Sequence, residues 1–167
     1  HDSIFVNPAT YWYSRYVVSF STFGGREVSG GAQCAWGELY DGTNTSARVW
    51  ATWRASKHLS VSADFKRDDV DIPQEPAYGN RDRDGGFSRQ RAGARVSFAF
   101  SPDMFGSVYS QWDVERGKVL LNFRVNWIPN PGSDVYLVLN QLWEKESAVY
   151  LLTDTTIATK IVWRFEV

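Results

Sequence analysis

Apolar and polar side chains alternate with a period of two along most of this chain, and no other feature of the sequence limits its fold as strongly. Segment 47–55, ARVWATWRA, has alanine, valine and tryptophan at odd positions and arginine, tryptophan and threonine at even positions. Successive side chains of a strand point to opposite faces, so this spacing predicts one apolar and one polar face. Segments 59–66, 90–100 and 120–127 repeat the pattern, whereas no segment keeps the 3.6-residue stripe of a helix. The sequence predicts an all-β chain.

The predicted strands are long, and length is what distinguishes membrane strands from most globular ones. Globular strands average about five or six residues, whereas a tilted strand that crosses a bilayer needs about ten. The fold expected for the single segment 1–167 is therefore an antiparallel up-and-down transmembrane β-barrel. Its nine predicted strands span 10–23, 27–40, 44–56, 59–70, 87–101, 104–115, 118–129, 133–143 and 156–167.

Composition excludes several classes of protein. The 18 basic and 19 acidic residues leave no basic surplus for a nucleic-acid binder. No apolar run approaches the roughly 20 residues of a membrane-spanning helix. With one cysteine, Cys34, neither a disulfide framework nor a cysteine-based metal site can form within the chain.

The connections between predicted strands alternate between two kinds. FGGRE, ASKH, FSPDM and IPNPGSD are tight turns, and between them lie YDGTN, VERGK and two longer polar stretches, 67–88 and 144–156. Outer-membrane barrels place short turns in the periplasm and longer loops outside the cell. We therefore expect 67–88 and 144–156 to be extracellular loops and 1–9 to be an extracellular lead-in.

Aromatic residues are abundant, with eight tryptophans among them. In membrane barrels such rings collect in girdles at the two lipid–water interfaces. The predicted girdle residues are Trp12, Trp36, Trp53, Trp112, Trp127, Trp163 and Phe165.

The predicted polar face would line the lumen of the barrel and is rich in basic residues. A basic lumen favours anionic solutes. Alternatively, these side chains pair with acids on further strands or with a plug. The predicted lumen residues are Arg15, Arg48, Arg54, Asp64, Lys66, Arg91, Arg95, Asn122, Arg124, Asn126, Lys160 and Arg164.

The last predicted strand, TKIVWRFEV, is similar to the C-terminal signal by which bacterial outer-membrane proteins are passed to their insertion machinery. It differs at Val167, where an aromatic residue is usual. Bacterial single-chain barrels have an even number of strands. Nine strands therefore indicate the C-terminal part of a larger barrel.

Several segments resemble one family of large bacterial outer-membrane proteins, which join a carbohydrate-binding family-nine-like periplasmic domain to a C-terminal barrel. The resemblance covers residues 20–167 and implies an outer-membrane location. The expected partners are lipid, the insertion machinery and other envelope subunits, and the resemblance implies no catalytic residue and no cofactor. The segments that carry it are FGGREVSGGAQCAWGELYDGTNTS, RASKHLSVSADFKRDDVDIP, FSPDMFGSVYSQWD, NFRVNWIPNPGSDVYLVLNQ and TKIVWRF.

Residues with metal-binding or catalytic chemistry are few. Asn80, Asp82 and Asp84 match the opening of a calcium-binding loop, but Arg91 stands where that pattern has a bidentate glutamate. We expect a solvated loop and no metal. The two histidines, His1 and His58, fall at the chain start and in a predicted turn, so the sequence predicts no enzyme.

Three functions fit these observations. The first is an outer-membrane pore that transports or translocates polar or anionic solutes. The second is a non-conducting anchor or scaffold subunit of an envelope complex, with its pore plugged. The third is a soluble ligand-binding β-barrel, which would stay soluble without detergent.

Overall fold

The computed structural model describes residues 10–40, 42–72 and 86–164 of the chain. Each strand pairs antiparallel with its neighbours in sequence, giving one sheet ordered β1 to β9. The prediction of an all-β antiparallel chain is confirmed for these residues. The strands are β1 (Arg15–Ser21), β2 (Val28–Leu39), β3 (Gly42–Ser56), β4 (Leu59–Asp71), β5 (Phe87–Ser101), β6 (Met104–Asp113), β7 (Lys118–Trp127), β8 (Asp134–Glu146) and β9 (Val149–Val162).

The end of the chain differs from the prediction. The loop expected at 144–156 is wrong, because β8 continues to Glu146 and β9 begins at Val149 after a turn in which Ser147 has a φ of 58°. The register shifts between Leu142 and Trp143, which leaves Thr153 as an extra residue on β9. Such a bulge interrupts the period-two alternation, so the first half of β9 does not look like a strand in the sequence.

The other predicted loop is shorter than expected. Residues 67–71 belong to β4 and residues 87–88 belong to β5, so the connection within 67–88 covers 72–86. Residues 73–85 and the predicted lead-in 1–9 lie outside the described residues. The first predicted strand, 10–23, is also longer than β1.

The two ends of the sheet differ in the connections that they carry. The turn end carries the connections at 22–27, 57–58, 102–103 and 128–133, and the loop end carries those at 40–41, 72–86, 114–117 and 147–148. At the loop end only 72–86 is long. The expected contrast between short turns and long loops therefore depends on that one connection.

The sheet buries little apolar surface. Among the described residues, the buried hydrophobic side chains are Ala35, Val70 and Ile72. By contrast, Val49 is 52% exposed and Ile157 is 67% exposed, although both lie within strands. Contiguous apolar surface of this kind is normally covered by another layer of protein or by lipid.

The two outer strands have one bonded neighbour each. β1 pairs with β2 and β9 pairs with β8, and they occupy the two edges of the sheet in the part of the chain that the structure describes. β9 is 14 residues long. A long free edge offers unpaired backbone groups to a further strand.

No helix with the length and hydropathy needed to span a membrane occurs among the residues that the structure describes.

Candidate functional site

The cross-strand register divides the sheet into two faces. Residues directly opposite each other on neighbouring strands share a face. Arg48 is opposite Lys66, which is opposite Arg91, and Arg95 is linked in the same way through Tyr109 to Asn122. The predicted lumen residues that lie in strands all fall on this face, which we call the polar face. Those residues are Arg15, Arg48, Arg54, Asp64, Lys66, Arg91, Arg95, Asn122, Arg124, Asn126 and Lys160.

Arg164 lies just beyond the end of β9, outside the strands. Its backbone N–H donates a hydrogen bond of 3.1 Å to the hydroxyl oxygen of Ser133 in the turn between β7 and β8. Ser133 is almost fully buried. This contact ties the segment after β9 to the turn end.

The opposite face, which we call the apolar face, carries the predicted girdle tryptophans of the strands. Trp36 and Trp112 lie near the loop end, and Trp53 and Trp127 lie near the turn end. All four rings are 44–50% exposed. The indole N–H of Trp112 donates to the hydroxyl of Tyr150 at 2.9 Å, and that of Trp53 donates to Glu27 at 3.3 Å.

The remaining girdle predictions lie outside the strands. Trp12 precedes β1 and is 91% exposed, and Trp163 follows β9 and is also exposed. Phe165 lies outside the described residues. The two rows of rings on the apolar face are therefore formed by residues of β2, β3, β6 and β7.

Three cations near the loop end of the polar face are paired with acids. Each pair joins a basic and an acidic side chain on the same or an adjacent strand, so the charges of these six side chains cancel. The pairs are Lys66 with Asp68 at 2.7 Å, Arg89 with Asp113 at 3.0 Å and Lys118 with Glu144 at 2.6 Å.

Asp113, the last residue of β6, lies one position beyond the predicted girdle residue Trp112 and organises the turn that follows. It accepts a hydrogen bond from the backbone N–H of Arg116 at 3.2 Å and another from the guanidinium of Arg89 at 3.0 Å. Burial acts to raise the pKa of Asp113, but these donors outweigh it and hold the pKa below its usual range. Asp113 therefore stays ionised and keeps the turn closed.

Cations toward the turn end are held differently. The guanidinium of Arg95 lies 4.7 Å from the ring centre of Tyr109, and that of Arg124 lies 5.2 Å from the ring centre of Tyr136. Within the described ranges neither arginine has an acidic partner. A cation–π contact positions a guanidinium without cancelling its charge. The turn end of the polar face therefore carries net positive charge.

A groove of about 600 Å³ opens on the sheet at the turn end. Its lining includes Arg54, Ser97, Ser107, Arg124 and Tyr136. Sequence reasoning missed Tyr109 and Tyr136 as partners of the arginines. Their position on the polar face follows from period two, but which arginine each ring meets depends on the register between strands.

The predicted metal-binding and catalytic candidates add no chemistry within the described residues. Asn80, Asp82 and Asp84 lie outside the described residues. In the part of the chain with a described structure, no group of three or more potential metal ligands comes together. Nδ1 of His58 lies 3.0 Å from the carbonyl oxygen of Ala99, at the turn end.

The polar face is thus defined by its register, its charge and its groove. Comparison of the chain with protein-family models, with curated proteins and with solved structures finds no match in any of the three.

Proposed function

We propose that this chain forms part of a bacterial outer-membrane β-barrel whose polar face lines a pore for polar or anionic solutes. The observation that carries the proposal is that one sheet has an exposed apolar face and, on its other side, a face rich in charged residues. Val49 and Phe65 lie exposed on the apolar face, while Arg48 and Lys66 lie beside them on the polar face. Lipid outside and water inside satisfy both faces at once.

The dimensions of the apolar face support this reading. From Thr45, which pairs with Trp36, to Trp53 the chain advances eight residues along β3. At about 3.3 Å per residue this is roughly 26 Å of strand, or about 20 Å of height at a tilt near 40°. With the rings added at both ends, the height approaches the roughly 25 Å apolar band of outer-membrane barrels.

The free edges of β1 and β9 fit a sheet that closes with further strands. Closure removes unpaired edges and turns one face of the sheet inward. In this arrangement the chain is one part of a larger barrel, as expected for the proposed family of outer-membrane proteins with a family-nine-like domain. The turn end then faces the periplasm and the loop end faces outward.

Two measurements on the intact protein test the proposal. In phase separation with a mild detergent we expect the protein in the detergent-rich phase, because its apolar face binds detergent. In planar lipid bilayers we expect ion conductance with a preference for anions, because cations outnumber acids among the polar-face charges that make no ion pair within the described residues. The cations include Arg48, Arg54, Arg91, Arg95, Arg124 and Lys160, and the acids include Asp64, Asp134 and Asp154.

The two alternatives give different outcomes. A protein that stays in the aqueous phase without detergent is a soluble ligand-binding barrel, and the membrane proposal fails. A protein that enters the detergent phase but never conducts, while it co-purifies with stable partners, is an anchor or scaffold of an envelope complex.

A further inference from the structure

One row of side chains crosses five strands of the polar face near the turn end. Arg54 on β3 is opposite Ser60 on β4, which is opposite Ser97 on β5. Ser97 is opposite Ser107 on β6, and Ser107 is opposite Arg124 on β7. The row therefore has three hydroxyl groups between two guanidinium groups, and all five residues line the groove of about 600 Å³.

Among the described residues, no acidic side chain forms an ion pair with the arginines of this row. Nη1 of Arg54 donates to the backbone oxygen of Arg26 at 3.0 Å and to the hydroxyl of Ser29 at 3.2 Å, both neutral acceptors. Arg124 rests on the ring of Tyr136. The ion pairs of the described residues lie toward the loop end, and Lys57 adds a further cation to the groove lining.

The hydroxyl and guanidinium groups of the row favour an anionic ligand with several oxygen atoms. Serine hydroxyls can donate hydrogen bonds, and a guanidinium offers a fork of donors that matches the oxygens of carboxylate, phosphate or sulfate. A neutral solute would leave the guanidinium groups without an acceptor of matching charge. The ring of Tyr136 limits the motion of Arg124, so less conformational entropy is lost when an anion binds.

We propose that the row Arg54, Ser60, Ser97, Ser107 and Arg124 is an oxyanion-binding site, which holds a solute bearing a carboxylate, phosphate or sulfate group near the turn end of the lumen. The oxyanion accepts hydrogen bonds from the hydroxyls of Ser97 and Ser107 and pairs with the guanidinium of Arg124. This deepens the proposed function and rests on it, because the polar face must be open to water.

The test measures binding of inorganic phosphate to the intact protein in detergent, by broadening of the phosphorus NMR signal. Sulfate and acetate are then added as competitors, which shows which oxyanion the row prefers. The variants are Arg124→Gln and the double variant Ser97→Ala with Ser107→Ala. Loss of a charge-assisted hydrogen bond should weaken phosphate binding by about tenfold or more.

The matched control is Arg48→Gln. Arg48 lies on the same polar face and its guanidinium rests on an aromatic ring, that of Trp50 at 5.5 Å, but it is not in the groove. Its loss should change phosphate binding by less than about twofold. The double serine variant keeps every charge, so its effect separates a site with specific hydrogen bonds from a general positive potential.

The outcomes separate this inference from the proposed function. Equal weakening by Arg48→Gln and Arg124→Gln, or no binding of any of the three anions, overturns the oxyanion site. If the protein conducts ions but binds none of the three anions, the proposed pore stands and the proposed oxyanion site is disproved. Phosphate binding that depends on Arg124 in a protein that does not conduct supports the site and overturns the pore.

Discussion

Single residues of the polar face hold positive charge in two ways. Arg89 is fixed by the carboxylate of Asp113, whereas Arg124 is fixed by the ring of Tyr136. The first contact neutralises charge, and the second leaves it available. The ion pairs of the described residues lie toward the loop end, whereas the turn end holds arginines such as Arg124 that keep their charge.

The paired arrangement predicts a pH dependence at Asp113. Its pKa is lower in the folded chain than the value of about 4 in the unfolded chain. The stabilisation is therefore complete above about pH 4 and is lost as the pH falls through the lower folded pKa. Asp113→Asn should lower the unfolding free energy by about 1 kcal/mol near neutral pH. Urea unfolding in lipid vesicles, repeated across this pH range, measures the difference.

Asp103→Asn serves as the control for Asp113. Asp103 is exposed in the turn between β5 and β6 and its carboxylate makes no ion pair with any described residue. Its replacement should leave the urea midpoint nearly unchanged at each pH. If the deficit of Asp113→Asn stays constant in acid, the stabilisation by the ionised carboxylate is disproved.

At the scale of strands and turns, the hairpin between β7 and β8 depends on one backbone conformation. Gly132 has a φ of 86°, and a Cβ atom there would lie 2.6 Å from Cδ of Arg164. Arg164 can move aside, but an L-residue in the left-handed region still costs about 1–2 kcal/mol. Gly132→Ala should therefore lower the unfolding free energy by that amount, measured as a shift of the urea midpoint.

Gly24, in the turn between β1 and β2, provides the matched control. A Cβ atom at Gly24 would find no atom within 4 Å, and its φ is not positive. Gly24→Ala should change stability by less than about 0.5 kcal/mol. Equal effects of the two substitutions would show that the left-handed conformation of Gly132 does not stabilise the hairpin.

The sequence predicts strands well where alternation is unbroken and poorly where it is not. β3, β4 and β5 fall close to their predicted bounds, because period two continues through them. The β8–β9 hairpin was missed because Ser147 takes a positive φ without being glycine, and because the bulge at Thr153 shifts the pattern. Such local features depend on pairing between strands.

The candidate site shows the same limit. Alternation alone places Arg95 and Arg124 on the polar face. It cannot place Ser97 opposite Ser107, or Tyr109 opposite Arg95, because those contacts depend on the register that the hairpins set. The faces could therefore be predicted from the sequence, whereas the rows across them required the structure.

For the whole molecule, lipid on one face and water on the other should make the two faces differ in the substitutions that they tolerate. Ala63, exposed on the apolar face, is opposite Ala51 and Ala94, and Ser62, on the polar face, is opposite Thr52 and Arg95. The two residues are adjacent on β4. A carboxylate should be unfavourable at position 63, where the side chain would face lipid. It should be tolerated at position 62, where the side chain would face water.

Ala63→Asp should therefore destabilise the membrane-inserted protein by about 2 kcal/mol or more. Ser62→Asp should be neutral or slightly stabilising, because it faces Arg95. The readouts are the amount of protease-resistant protein in the outer-membrane fraction and the urea midpoint in vesicles. A sheet in water would accept a carboxylate at the exposed Ala63 as readily as at Ser62. Equal tolerance at both positions would therefore contradict a lipid-facing apolar surface, and with it the pore.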